Sequence, residues 1–105
     1  MEQSFKQHTA NKEERYQRFL LDWQLFISAE TDEVAILANT SAALKEAFDF
    51  FWVGFYMVRN EELVLGPFQG SVACYRIRKG RGVCGTAWED ACTQVVPDVE
   101  QFQDI

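Results

Sequence analysis

The sequence predicts an α+β fold. Two segments with apolar residues at helical spacing come first, ending at Phe48. After Phe50 the chain turns to short runs of strand length punctuated by Asn, Gly and Pro. Helices grouped ahead of strands, with one small helix inserted late, separate this order from an alternating parallel α/β sheet.

Asn11 with Glu14 three residues on is a capping-box-like helix start. Tyr16, Phe19, Leu20, Trp23, Phe26 and Ile27 then form one apolar stripe. Thr31 is expected to open a second helix, with acids in its first turn and apolar positions at Val34, Leu37, Ala38, Leu44 and Phe48. Phe50 to Val58 is apolar on both alternations, as expected of a central strand buried on both faces. Arg59–Glu62 is a polar turn, and Leu63–Leu65 returns as a hairpin partner that Gly66-Pro67 should break. Val72 to Arg78 alternates, with Cys74, Arg76 and Arg78 on one face. Val83–Asp90 reads as a short helix and Thr93–Val96 as a final strand.

At 105 residues the length supports one domain. Residues 1–10 read as a polar tail and 11–105 as the domain. Nine Phe, three Trp and three Tyr call for an aromatic core or pocket. A formal charge of −6 argues against nucleic acid or an anionic membrane surface as the main partner. The polar first fifteen residues hold no signal-peptide core, and no stretch approaches the roughly 20 apolar residues of a membrane span. Three cysteines in such a chain point to a reducing cytoplasm, with one thiol necessarily unpaired within the chain.

Chemistry concentrates between Cys74 and Cys84, which flank a glycine loop carrying Arg78, Lys79 and Arg81. Cations lower a thiol pKa, so either cysteine is a candidate reactive thiolate or simply a small buried hydrophobe. Cys92, behind Glu89 and Asp90, reads as the latter. The cysteine spacing lacks the short pairs of a zinc site, and His8 lies far off, so no metal is expected. Gly80–Gly85 spells G-x-G-x-x-G, but only seven residues separate it from Thr93, too few for a parallel crossover. Those glycines, with Thr93 beginning only eight residues after Gly85, read as a tight strand-to-helix turn, and no cofactor is expected. Trp52 and Tyr56 share a strand face, as an aromatic wall for a small ligand or as core packing. Arg76 and Arg78 would bind a carboxylate or stay solvated, and Asp98 is a turn residue.

Taken in order, Trp52-Val-Gly-Phe-Tyr56, Leu63–Gly70, Ala73-Cys-Tyr-Arg-Ile77, Gly80–Ala87 and Thr93–Val99 resemble the free methionine-R-sulfoxide reductases, small enzymes built on a GAF domain. The resemblance implies a GAF-like antiparallel sheet packed on the N-terminal helices, often as a homodimer. It implies reduction of free L-methionine-(R)-S-oxide to L-methionine, with a thioredoxin-like dithiol as final reductant. Matched by motif, Cys74 falls on the family's resolving cysteine and Cys84 on its second, recycling cysteine. Trp52 and Tyr56 fall on substrate-binding aromatics. Cys92 has no counterpart. The family's attacking cysteine follows the Val-Pro-Asp-Val block, beyond Ile105, as do its last strands and closing helix. The chain therefore reads as the N-terminal two-thirds of such an enzyme, inactive by itself. The alternative is a non-catalytic GAF module that binds a small ligand or dimerises.

Overall fold

The computed structural model describes residues 4–9 and 11–102. Their elements run α1 (Lys12–Ile27), α2 (Glu33–Phe48), β1 (Val53–Arg59), β2 (Glu62–Gln69), β3 (Arg76–Arg78), α3 (Gly82–Asp90) and a 3-10 turn, Val99–Gln101. The three strands form one sheet in the order β1-β2-β3, and β2 and β3 are antiparallel. Contacts divide the chain into two units. The first holds α1, α2, the chain to Phe55 and Gly66–Ser71; the second holds Tyr56–Leu65 and the chain from Val72 onward.

The first unit is built as the apolar stripes require. Asn11 caps α1 by accepting from the Glu14 amide at 3.0 Å, one half of the expected box. Asp32, not Thr31, caps α2, accepting from the Ala35 amide at 2.9 Å. The carboxylate is the stronger acceptor, and Thr31 instead gives its own amide to Glu30. The core joins Phe19, Ala43 and Ala47 to Phe5, with Trp23, Phe26, Leu44 and Phe48 packed against it. Trp23 Nε1 donates to the buried Thr40 hydroxyl at 2.9 Å, tying α1 to α2. Ser41 is fully buried because its hydroxyl donates to the carbonyls of Leu37 and Pro67.

Residues 4–9 are not a polar tail. Phe5 is 3% exposed, and its ring meets Phe19 at 5.6 Å and Phe26 at 5.3 Å between centroids. Glu46 Oε1 holds the segment by accepting from Ser4 Oγ and the amides of Phe5 and Lys6. These bonds to a charged acceptor push the Glu46 carboxyl below its usual range, the Ser4 hydroxyl contributing most. One phenylalanine among polar neighbours carries no periodicity, so the sequence gives no warning of it.

The strands depart from expectation in several places. The first begins at Val53, not Phe50, and lies at one end of the strand order rather than at its centre. Asp49 adopts the left-handed conformation after α2, Lys45 Nζ takes the Phe50 carbonyl at 2.6 Å, and Phe51 is 83% exposed. The β1–β2 turn narrows to Asn60-Glu61, both at positive φ, the pattern of a two-residue hairpin turn. β2 runs through Gly66-Pro67 to Gln69. The Leu65 amide donates to Tyr75, and Pro67, two residues on, points its missing N–H to the same side, past the end of the β3 register at Val64. No ladder bond is lost there.

β3 is only three residues long, with Glu62 opposite Arg78 and Val64 opposite Arg76, so Cys74 and Tyr75 stand outside it. Thr93–Val96 is not a strand, because no ladder partner stands beside it among the described residues; a strand exists only by pairing. Asp98 does cap a turn, accepting from the Glu100 amide at 3.0 Å.

Candidate active site

The second unit gathers the residues on which thiol chemistry would rest. β3 leads into the loop that starts α3, and α3 packs on β3. The loop closes on itself: the Gly80 amide donates to the Gly85 carbonyl at 2.9 Å, and the Gly85 amide to Arg81 at 3.0 Å. Gly80 takes φ +83, a left-handed conformation that glycine adopts without strain. Gly85 is buried, and a Cβ there would lie 2.5 Å from the Arg78 carbonyl oxygen. The G-x-G-x-x-G pattern thus serves close packing of helix on strand.

Cys84 sits on α3 between these glycines and Cys74 on the segment before β3; with Cys92 they are free and exposed. Tyr56 on β1 donates its hydroxyl to the Cys74 carbonyl at 2.8 Å. Burial raises the Tyr56 phenol above its ordinary pKa, and negative charge on Cys74 and on Cys84 raises it further. The Cys74 backbone therefore stands beside the phenol, and Cys84 belongs to the same unit. Burial also pushes the Cys84 thiol up. That corrects the expectation that the cationic loop would lower it. Lys79 is directed elsewhere, its Nζ lying 5.0 Å from the Trp88 ring centroid.

Arg76 is not an open carboxylate receptor either. Its Nη1 is 3.0 Å from Glu62 Oε1, across the β2–β3 pair. Cys92 is exposed rather than buried: it follows Ala91, the left-handed residue that ends α3, and its Sγ donates to the Thr93 carbonyl. Trp52 belongs to the first unit. Its ring stacks on Phe68 at 5.4 Å, and Nε1 donates to the Ser71 carbonyl at 2.9 Å, so the indole is half-buried and fixed. Lys79, Trp88 and Glu89 were missed as loop supports; their spacing of nine and ten residues crosses a turn, which no helical or strand periodicity reveals.

An open cleft of about 650 Å³ between the N-terminal segment and α1 is lined by Lys6, His8, Glu14, Arg18, Leu21 and Asp22, among others. It holds none of the cysteines and neither Trp52 nor Tyr56. Among the described residues, no group of three or more His, Cys, Asp or Glu is placed to hold a metal ion, and no helix is long and apolar enough to cross a membrane.

Known proteins resemble this chain closely in sequence and fold. The chain is 59% identical over 93 residues to GAF domain-containing protein A of Dictyostelium discoideum, covering 88% of this chain and 59% of that protein. It is 48% identical over 93 residues to the free methionine-R-sulfoxide reductase of Escherichia coli, covering 88% and 56%. The X-ray structure of free methionine-R-sulfoxide reductase from Neisseria meningitidis, in complex with its substrate, superposes with a TM-score of 0.92 at 49% identity over 99% of this chain and 63% of that one. The chain resembles the free methionine-R-sulfoxide reductases over nearly its whole length. It spans less than two thirds of the length of these relatives. No protein-family model matches it. Its fold is the GAF fold, as expected of a free methionine-R-sulfoxide reductase relative.

Proposed function

We propose that this chain forms part of an enzyme that reduces free L-methionine-(R)-S-oxide to L-methionine by thiol–disulfide chemistry. The supporting observation is the gathering of Cys74, Cys84 and the Tyr56 phenol in one unit of a chain so similar to reductases of that name. In the proposed reaction a cysteine thiolate attacks the sulfoxide sulfur, the oxygen is protonated, and methionine leaves with a sulfenic acid on the enzyme. The Cys74 thiolate then attacks the sulfenic sulfur, forming the disulfide and releasing water. Exchange through Cys84 passes the disulfide to a dithiol of the thioredoxin class. Trp52 and Tyr56 are each assigned to substrate contact, and a reducing cytoplasm is the compartment such chemistry needs.

Neither Cys74 nor Cys84 takes the attacking role, so residues 1–105 taken by themselves are proposed not to turn over. A thioredoxin-coupled assay with methionine-(R)-S-oxide tests this: no NADPH consumption above background is expected, and multiple turnovers would refute it. Dilute peroxide should still produce a Cys74–Cys84 disulfide that thioredoxin reverses; its absence would overturn the redox assignment. The similarity to GAF domain-containing protein A favours a second reading, a GAF module that binds a small ligand or forms a homodimer without chemistry. On that reading methionine raises the melting temperature and no disulfide cycles.

A further inference from the structure

We infer that Tyr56 is a positioning residue for Cys74, its hydroxyl setting through the Cys74 carbonyl where that thiol stands when it pairs with Cys84. The inference rests on the redox assignment of the two cysteines proposed above and adds a role for the phenol apart from substrate contact.

The segment that carries Cys74 needs such a tether. It belongs to no strand, since β3 begins only at Arg76. Its side chains do little to hold it: Val72 is 94% and Tyr75 80% exposed. Backbone groups do the holding. Tyr56 donates to the Cys74 carbonyl at 2.8 Å, and the Leu65 amide donates to the next carbonyl, Tyr75, at 2.9 Å. The phenol comes from a seven-residue strand and points at a segment outside the sheet, so it transmits the sheet's rigidity to the cysteine. Without it, Cys74 samples a wider range of positions, and fewer of them allow closure of a disulfide.

The test compares Tyr56→Phe with wild type, and uses Tyr75→Phe as a control because that phenol is exposed on the same segment. Reduced protein is treated with hydrogen peroxide. One thiolate attacks the peroxide, breaking the O–O bond and becoming a sulfenic acid; the other attacks that sulfur, forming the S–S bond and expelling hydroxide. Two thiols are oxidised and one peroxide becomes two waters. Mass spectrometry follows the Cys74–Cys84 disulfide, and NMR follows exchange of the Leu65 amide. Tyr56→Phe should slow disulfide closure and speed Leu65 exchange, each about fivefold, the factor corresponding to about 1 kcal/mol for one hydrogen bond. Tyr75→Phe should change neither. Unchanged closure in Tyr56→Phe, with or without faster exchange, leaves the bond merely structural and overturns the inference. If wild type forms no Cys74–Cys84 disulfide, the redox assignment fails first and the positioning role falls with it.

Discussion

Replacing Phe5 by alanine tests whether the extreme N-terminus belongs to the domain. The side chain is almost wholly buried, and its ring meets Phe19 and Phe26 in tilted and edge-on geometries. Truncating a buried phenylalanine costs about 3–5 kcal/mol when the surroundings cannot collapse into the space. Here the lower figure applies. The segment is a strap that can lift away, and the loss cannot exceed what docking it contributes. At about 4 °C per kcal/mol for a domain of this size, a cost of about 3 kcal/mol lowers the melting temperature by about 12 °C. Thermal unfolding followed by circular dichroism at 222 nm, at fixed protein concentration, measures it. A shift under about 2 °C would mean that residues 4–9 add nothing to the core and that the polar-tail reading was sound.

Glu46 carries a pH signature of the same strap. Its folded pKa is depressed, so the stabilisation is present above the unfolded carboxylate value and lost as pH falls through the lower, folded one. Glu46→Gln should flatten that acid limb of an unfolding-versus-pH series; an unchanged limb would refute the clamp. Gly85→Ala places a methyl group against the Arg78 carbonyl and should cost about 1–3 kcal/mol in urea unfolding, with a neutral result contradicting the close approach. Alkylation of Cys84 by iodoacetamide should rise with pH to an inflection above the ordinary thiol value of about 8.5, and an inflection below about 8 would show an activated thiolate instead.

Much of the fold was legible because it rests on periodicity and caps. The Tyr16–Ile27 stripe and the Asn11 cap marked α1, and the glycines before Val83 marked the turn into α3. What escaped depends on backbone groups, which every residue carries alike. Lys45 takes the Phe50 carbonyl and delays β1; Pro67 survives in β2 because no partner needs its N–H; Thr93–Val96 has strand composition but no neighbour to pair with. The site divides in the same way. Cys74, Cys84, Trp52 and Tyr56 were picked out by residue type and by motif, and the structure sets the Cys74 carbonyl against the Tyr56 hydroxyl. The bond from Tyr56 to the Cys74 carbonyl has no sequence signature, nor does the burial that raises Cys84. Counting cations along the chain suggested the opposite, because side-chain direction decides what a charge acts on, and Lys79 faces Trp88.

The most direct test of the central claim is an NMR titration of the 105-residue chain with the two epimers of free methionine sulfoxide. The (R)-S-oxide should shift the Tyr56 and Cys74 amides saturably, leaving the Trp23 indole in the helical core unmoved. Equal, unsaturable shifts from both epimers, or none at those two residues, would contradict it.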